Sequence, residues 1–181
     1  MATLYTIGHS TRTLDELIAA LQAHQIQTLV DIRAFPMSRR LPQFNREALE
    51  KSLPEAGIRY VWMKALGGYR KKTLAESPNI ALRNDSFRNY ADYMLSAEFE
   101  AAAAELVALA KSSHTAYMCA ERMYFQCHRM LVSDWLVAHG HEVLHIDTLN
   151  IEGTGPVKRH ELMAEARMVD GRLVYRGDRL L

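Results

Sequence analysis

The two cysteines of the chain, Cys119 and Cys127, lie in one stretch, residues 118–129, whose sequence is MCAERMYFQCHR. The stretch follows a short apolar run at 115–118 and precedes apolar residues at helical spacing, so a strand should end at the first cysteine and a helix begin after the second. A thiol at such a junction loses its proton more readily when a helix N-terminus and cations are close. We therefore predict a catalytic thiol at Cys119, although free cysteines are often only small buried apolar residues.

The side chains around the two thiols suit proton transfer and the binding of an anion. His128 is a candidate proton carrier, with Glu121 orienting an imidazole. Arg122 and Arg129 are candidate cations that favour a thiolate or bind an anionic substrate group. Cys127 is a candidate to resolve the first cysteine once that residue is oxidised. The sequence thus predicts a Cys/His/Arg site without identifying the reaction or a cofactor.

The same cluster could instead hold a metal ion. Cys119, Cys127 and His128 offer the thiolate and imidazole ligands that zinc prefers, but the gap between the cysteines matches no standard zinc spacing. The Cys-x-x-Cys pattern of redox pairs is missing as well. A phosphatase-like cysteine followed by five residues and arginine is excluded, because position 125 is phenylalanine. A metal site remains an alternative to the catalytic thiol.

A second histidine pattern, HEVLH at residues 141–145, resembles the zinc motif of metalloproteases. That chemistry requires a helix, on which positions four apart face the same metal. Here His141 and His145 flank a short apolar run directly after Gly140, which predicts a strand. Four strand residues separate the two imidazoles by roughly 13 Å, which is too far for one ion. We therefore predict no protease site here.

Apolar runs alternate along the chain with stripes at helical spacing. The runs predict strands at 4–7, 28–32, 59–63, 115–118 and 142–146. The stripes predict helices that begin at Thr13, with Glu16 in a capping box, and that cover 45–53, 85–95, 97–111, the segment from Cys127 to His139, and 157–166. Asp170-Gly171 predicts a hairpin over 168–175, so residues 157–176 form a C-terminal helix and hairpin. We predict an α/β fold, a single three-layer domain over residues 1–181, with a mostly parallel central sheet, helices on both faces and a C-terminal hairpin.

In such a sheet the carboxyl ends of the parallel strands meet at one edge, where α/β proteins bind their ligands. Polar residues, glycines and the first thiol follow the predicted strands, and these are His9, Ser10, Asp31, Arg33, Gly67, Gly68, Arg70 and Cys119. Their gathering at one edge is an independent reason to place a site there.

Each residue of this edge has a candidate role and a simpler structural alternative. His9 is a second candidate proton carrier, or it could only cap its turn. Ser10, Arg33 and Arg70 could bind an anionic group, whereas Asp31 could merely pair with Arg33 in the core. The two glycines could help to wrap a phosphate, or they could only permit unusual backbone angles.

Length and composition place the chain among ordinary globular proteins. The 181 residues are 49% hydrophobic and carry a net charge of +1, so no global field attracts nucleic acid. Two cysteines and a start that resembles no signal peptide favour a reducing, cytoplasmic location. No apolar run approaches the roughly 20 residues needed to span a bilayer. The oligomeric state cannot be read from these patterns.

Several short motifs occur in a familiar order: TIGHST at 6–11, DIRAFPMS at 31–38, LGGYR at 66–70, FRNYADYM at 87–94, then MCAE and CHR within 118–129. Together they resemble the DUF488 family of uncharacterised bacterial and archaeal proteins, over about residues 4–147. The resemblance implies a site and no reaction. The positions that it implies are His9, Ser10, Asp31, Arg33, Gly67, Gly68, Arg70, Cys119, Glu121, Cys127, His128 and Arg129. The chain departs from the family at Tyr69, where an aliphatic residue is more usual.

Three functions fit these observations. The first is an enzyme in which Cys119 acts on an anionic substrate such as a nucleotide or a nucleic acid. The second is a nucleic-acid-binding module without catalysis, in which cations contact phosphates and aromatic rings stack on bases. Its candidate residues are Arg39, Arg40, Lys71, Lys72, Phe35, Phe44 and Tyr69. The third is a metal site at Cys119, Cys127 and His128.

Overall fold

A six-stranded sheet forms the middle of the structure, a computed structural model that describes residues 1–177. The strands are β1 (Thr3–Gly8), β2 (Thr28–Asp31), β3 (Arg59–Trp62), β4 (Thr115–Cys119), β5 (Glu142–His145), β6 (Lys158–Arg159), β7 (Ala166–Val169) and β8 (Arg172–Tyr175). The helices are α1 (Leu14–Ala23), α2 (Arg46–Glu55), α3 (Asp85–Tyr93), α4 (Ala97–Ser112) and α5 (Arg129–Ala138).

The order of strands in the sheet is β3-β2-β4-β1-β5-β6. The first five strands of this order are parallel, and β6 runs antiparallel to β5. The predicted mostly parallel sheet is therefore confirmed. Because the five parallel strands end at the same edge, the residues that follow β1, β2, β3 and β4 lie along one side of the molecule.

Helices cover both faces of the sheet and produce two apolar cores. Met118 of β4 packs in one core with α1 and α2, and its neighbour Tyr117 packs in the other with α3, α4 and α5. Since side chains alternate along a strand, Cys119 points to the same face as Tyr117. The predicted three layers are confirmed. Within residues 1–177, no helix is long and apolar enough to cross a membrane.

Strand β4 lies between β1 and β2, and the chain leaves β4 toward the face opposite to the one that it takes after β1 and β2. After β1 and β2 it continues to α1 and α2, whereas after β4 it continues to α5 on the other face. The carboxyl ends of strands at which the connections diverge in this way are where open α/β sheets commonly bind ligands. Cys119 ends β4 and so lies at this point of the sheet.

Local sequence signals form as expected at two places. The backbone N–H of Glu16 donates to Thr13 Oγ1 at 3.2 Å and the Glu16 carboxylate accepts from the N–H of Thr13 at 2.7 Å, which is the predicted capping box. The hairpin turn at Asp170 and Gly171 has φ of 50° and 77°, as a two-residue turn of this type requires. Strands β7 and β8 form a sheet of their own.

The helix predicted over 157–166 is wrong. Lys158 and Arg159 pair with β5 as an antiparallel edge strand, and the N–H of His160 donates to Val143 O at 2.8 Å. The His160 side chain is buried and bonded to Asp134. Pairing with an edge strand and buried polar partners outweigh the weak helical preference of this segment. The predicted strand at HEVLH is confirmed as β5, so the two histidines cannot share a metal as they would on a helix.

Candidate functional site

Three side chains, which we call the thiol cluster, meet at the carboxyl end of β4: Cys119, Cys127 and His128. Their sulfur and ring nitrogen atoms all lie within 4.8 Å of one another. Both cysteines are free thiols, and all three residues are at least nine-tenths buried. The structure therefore brings together the central residues that the sequence predicted, with Cys127 and His128 supplied by the turn into α5.

The hydrogen bonds of His128 determine which nitrogen carries its proton. Nε2 lies 2.9 Å from Ile32 O, and since a carbonyl only accepts, Nε2 is the protonated nitrogen. Nδ1 is then a bare acceptor, 3.9 Å from Cys119 Sγ. Burial lowers the pKa of His128, which favours this neutral form. The imidazole is oriented to accept a proton from the Cys119 thiol.

The environment of Cys119 favours its thiolate. The pKa of Cys119 is lowered to about 7, chiefly by a hydrogen bond from the Cys127 thiol, with further contributions from the Arg129 charge and the N–H groups of Ala120 and Glu121, against the opposing effect of burial. The pKa of Cys127 is raised well above its ordinary value, since this thiol donates to its neighbour and is buried. Cys119 therefore loses its proton before Cys127 does.

Arg129 is fully buried beside the thiol cluster and donates to several acceptors. Nη1 donates to Thr6 Oγ1 at 2.9 Å, Nη2 donates to Glu121 O and to Arg122 O, and Nε lies 3.4 Å from Cys127 Sγ. Within the described chain, no carboxylate lies within salt-bridge distance of its guanidinium. A buried cation is stabilised by a nearby negative charge, and the Cys119 thiolate supplies one, since the charge of Arg129 helps to lower the pKa of Cys119.

The two predicted glycines lie in close contact with neighbouring groups. A Cβ on Gly68 would come within 2.3 Å of His128 Nδ1, and a Cβ on Gly67 would come within 2.8 Å of Ala34 Cα. These approaches are by themselves a reason for glycine at both positions. Gly68 in particular leaves the space that the His128 ring occupies.

Arg33 and Asp31 form the buried ion pair that was the simpler alternative. Arg33 Nε donates to Asp31 Oδ1 at 2.9 Å and Nη2 donates to Asp31 Oδ2 and to Phe44 O. The Tyr60 hydroxyl donates to Asp31 Oδ2 at 2.7 Å. Arg33 Nη1 lies 3.3 Å from Nε2 of His9. The Arg33 guanidinium is therefore held on several sides by the protein itself.

His9 belongs to this Arg33 group rather than to the thiol cluster. Its Nδ1 donates to Ser10 O at 2.9 Å, so the bare Nε2 accepts from Arg33. Its ring stacks on Phe44 at a centroid distance of 4.3 Å. Burial is the main reason that the pKa of His9 falls to about 4. Its contact with the thiol cluster is made by the backbone: the N–H of His9 donates to Cys119 O at 3.0 Å.

Acidification is expected to destabilise the fold through His9. The unfolded chain takes up this proton near the ordinary pKa of 6.5, but the folded protein does so only near 4. The stabilisation is therefore complete above pH 6.5 and is lost as the pH falls toward 4, by about 3 kcal/mol. Urea denaturation between pH 7 and pH 4 should show a shallower decline for His9→Gln than for the wild type. Replacing the exposed His114 by glutamine is the control, and parallel curves for all three proteins would contradict the prediction.

Other predicted site residues lie near the edge without a side-chain contact to the thiols. The Glu121 side chain is exposed, and this residue acts through its backbone: its carbonyl accepts from Arg129 and its N–H favours the Cys119 thiolate. Arg70 donates to the carbonyls of Gly67 and Ala65, and its guanidinium lies 3.6 Å from the centre of the Tyr93 ring. These hydrogen bonds hold the loop after β3 in place.

Ser10 and Arg122 line a cleft of about 580 Å³ together with Arg12. Arg122 Nη2 lies 3.4 Å from Asp147 O, and Arg12 Nη1 pairs with the Asp147 carboxylate at 3.3 Å. The N–H of Ser10 donates to the carbonyl oxygen of Ala120, the residue that follows Cys119. This backbone hydrogen bond connects the cleft to the loop after β4. The lining also contains two glutamates, Glu16 and Glu152, and Arg12 is already paired with Asp147, so Arg122 is the cation of this cleft with the chemistry to receive an anion.

The aromatic residues proposed for base stacking separate into two groups. Phe44 is fully buried in the core under α1 and α2, so its predicted role in stacking is wrong. Phe35 and Tyr69 are each 70% exposed, with ring centroids 6.1 Å apart. Of the three rings proposed for stacking, Phe35 and Tyr69 are therefore the two that lie on the surface.

Sequence reasoning missed several residues that build the site. A Cβ on Gly8 would lie 1.9 Å from Glu121 O, so this glycine permits β1 to pass the loop after β4. Thr6 accepts from Arg129, and Asp147 pairs with Arg12. A polar threonine inside the otherwise apolar run of β1 was the one local signal that could have pointed to Thr6.

Comparison with known families matches residues 13–136 to a family model described as "Domain of unknown function DUF488". The matched region covers more than half of the chain and extends from α1 into α5. No curated protein sequence and no solved structure is significantly similar to the chain.

Proposed function

The chain belongs to the DUF488 family, and since that family carries no assigned reaction, we propose from the site itself that the protein is an enzyme in which the Cys119 thiolate attacks an anionic substrate. The observation that carries this proposal is the geometry of the thiol cluster: Cys119 Sγ lies 3.9 Å from the bare Nδ1 of His128 and within 4.8 Å of Cys127 Sγ, to which the buried Arg129 donates. A purely structural cysteine is usually surrounded by apolar groups instead.

Each member of the thiol cluster has a role in this mechanism. The Cys119 thiolate attacks an electrophilic atom of the substrate; as the bond to sulfur forms, the bond from that atom to the leaving group breaks, and the leaving group keeps the electron pair. In the fraction of molecules that hold the thiol form, His128 Nδ1 takes its proton and can pass it to the leaving group. Ile32 O keeps the imidazole in the required tautomer. Cys127 and Arg129 stabilise negative charge on the sulfur between turnovers.

The anionic character of the substrate is supported by the cleft beside the cluster. Arg122 is only partly buried and lines this cleft beside Ser10, whereas Arg12 in the same lining is paired with Asp147. Arg33 and Arg129 are already bonded to groups of the protein, so their charges contribute to the local potential rather than to direct contacts. A nucleotide or a nucleic acid would supply a suitable phosphate.

A second candidate function is supported by the same geometry. Two thiol sulfurs and an imidazole nitrogen within 4.8 Å of one another could serve as three ligands of a zinc ion, with a fourth position open. In that case the thiols would be held by the metal and would not react freely with an electrophile. The two candidates therefore predict opposite effects of a chelator.

Alkylation of the native protein by iodoacetamide tests both candidates. Cys119 should be labelled with a midpoint near pH 7, below the value of about 8.5 for an ordinary thiol. Cys127 should be labelled only at much higher pH or after unfolding, and a Cys127→Ala variant should raise the Cys119 midpoint. The two sites are followed separately by peptide mass spectrometry, with and without a chelator.

Three outcomes of this experiment decide between the candidates. Labelling of Cys119 near pH 7 without a chelator supports the catalytic thiolate. Labelling that begins only after chelation supports the metal site instead. If neither cysteine reacts until the protein unfolds, both thiols are structural and the proposed function is wrong.

A further inference from the structure

A buried chain of hydrogen bonds leads from the thiol cluster through the core. Arg129 Nη1 donates to Thr6 Oγ1 at 2.9 Å, and Thr6 Oγ1 lies 3.2 Å from His145 Nδ1. His145 Nε2 lies 2.9 Å from His160 Nδ1, and His160 Nε2 lies 2.8 Å from Asp134 Oδ1. We call these five residues the relay.

The direction of every hydrogen bond in the relay is determined from its two ends. Arg129 can only donate, so the Thr6 hydroxyl accepts from it and turns its own proton toward His145 Nδ1. His145 must then carry its proton on Nε2 and donate to His160 Nδ1. His160 in turn carries its proton on Nε2 and donates to the Asp134 carboxylate, which is an acceptor. The directions required by Arg129 and by Asp134 agree, so each hydrogen bond of the relay has one donor and one acceptor.

The relay is enclosed by protein on all sides. Arg129, Thr6, His145 and Asp134 are fully buried, and His160 is 4% exposed. The remaining carboxylate oxygen of Asp134 accepts from the Tyr175 hydroxyl at 3.0 Å. Buried polar groups destabilise a core unless all are satisfied, so a network this complete holds its members in a single arrangement.

The relay also contacts the loop that joins the two cysteines. The ring of Tyr124, which lies between them in the chain, stacks on the ring of His145 with centroids 3.6 Å apart and planes 4° apart. The loop is thus held at one end by the Arg129 bonds to the carbonyls of Glu121 and Arg122, and in its middle by this stacking.

We propose that the relay positions Arg129 against the Cys127 thiol and so beside Cys119, which makes Thr6, His145, His160 and Asp134 positioning residues for the chemistry of Cys119. The inference rests on the proposed function, because it assigns these residues to the reactivity of the same thiol. The Asp134 carboxylate provides the negative end that orients the intervening dipoles, and Arg129 provides the positive end, whose Nε lies 3.4 Å from Cys127 Sγ. None of the four residues touches the substrate.

Loss of the Thr6 hydroxyl should therefore change the reactivity of a thiol that Thr6 does not touch. Without Thr6 Oγ1, Arg129 Nη1 and His145 Nδ1 both lose their partner in the interior. The guanidinium is then free to shift from Cys127 Sγ. The charged and titratable groups whose fields bear on the Cys119 thiolate are Cys127, His128, Arg129, Arg33 and Tyr90, and only the placement of Arg129 depends directly on the relay.

A matched set of variants tests the proposal in the full-length protein. Thr6→Val keeps the shape and removes the hydroxyl, whereas Thr6→Ser keeps the hydroxyl. Thr28→Val is the control, because Thr28 is an equally buried strand threonine whose hydroxyl bonds to Ser113 at 3.0 Å, away from the relay. The readouts are the pH midpoint of Cys119 alkylation by iodoacetamide and the thermal midpoint of unfolding.

Thr6→Val is expected to raise the Cys119 midpoint by about half to one pH unit, so that alkylation at pH 6.5 slows about three- to tenfold. Thr6→Ser should restore the wild-type midpoint, and Thr28→Val should lower the thermal midpoint without changing the alkylation midpoint. A merely structural role for Thr6 would move only the thermal midpoint, and that result would overturn the inference.

A measurement on the wild type keeps the inference testable should Thr6→Val fail to fold. Nitrogen-15 chemical shifts of the imidazoles should show His145 and His160 both protonated at Nε2 and bare at Nδ1. The opposite tautomer at either histidine would overturn the relay. The proposed function fails separately, if wild-type Cys119 is not alkylated near pH 7, whereas the relay alone fails if Cys119 reacts normally and Thr6→Val leaves its midpoint unchanged.

Discussion

A Gly8→Ala variant is expected to lose about 3 kcal/mol of unfolding free energy, because the added methyl group requires the neighbouring backbone to move. The added Cβ would lie 1.9 Å from Glu121 O, 2.6 Å from Glu121 C and 2.7 Å from Arg122 Cα. All three are backbone atoms, so no side-chain rotation relieves the clash. The loop after β4 must move, and the Glu121 carbonyl that accepts from Arg129 moves with it.

Urea denaturation with the slope held common to all variants measures the Gly8→Ala effect. Gly177→Ala is the control, since a Cβ there meets nothing within 4 Å and its backbone lies outside the left-handed region. The control should change the unfolding free energy by less than about 0.5 kcal/mol. A Gly8→Ala protein as stable as the control would show that β1 and the loop after β4 are not in such close contact.

An Arg129→Met variant should show the second large effect, on both stability and thiol reactivity. The carbonyls of Glu121 and Arg122 would lose their buried donor, and Thr6 and Cys127 would lose a partner as well. Removal of one member of a buried charged network typically destabilises by about 3–5 kcal/mol. The midpoint of Cys119 alkylation should rise by about one pH unit, because the cation that favours the thiolate is gone.

Arg46→Met provides the control for Arg129→Met, because this arginine is 44% exposed and pairs with Glu50 on the surface of α2. Its loss should lower the unfolding free energy by less than about 1 kcal/mol. Arg129→Lys keeps the charge without the planar fork, and its Cys119 midpoint should lie between those of the wild type and Arg129→Met. An unchanged midpoint in a folded Arg129→Met protein would mean that the arginine does not set the reactivity of the thiol.

The fold could be predicted from the sequence wherever local periodicity decides structure. The apolar runs at β1, β2, β4 and β5 and the capping box at Thr13 required no knowledge of distant partners. The segment 157–166 could not be predicted in this way. Its structure depends on Lys158 and Arg159 pairing with β5 and on His160 meeting Asp134, and these contacts join parts of the chain that local patterns treat separately.

The centre of the site was predictable because Cys119, Cys127 and His128 are close in sequence as well as in space. Individual contacts were not predictable. Gly68 was considered as a phosphate-binding glycine, and its contact with His128 depends on the loop after β3 folding over α5. The relay links Thr6 to His160, and nothing in the residues around either one indicates the other.

The hydrogen-bond partners of Asp134 also bear on where a stable fragment of the chain can end. The family match stops at residue 136, within α5, shortly after Asp134. This carboxylate accepts hydrogen bonds from His160 Nε2, from the N–H of Met163 and from the hydroxyl of Tyr175. All three residues lie beyond the matched region. A fragment cut at the family boundary would expose a core carboxylate without a single donor. We therefore expect a fragment that ends at residue 136 to be less stable than one that continues through β8, and any expression fragment or domain fusion should retain β8.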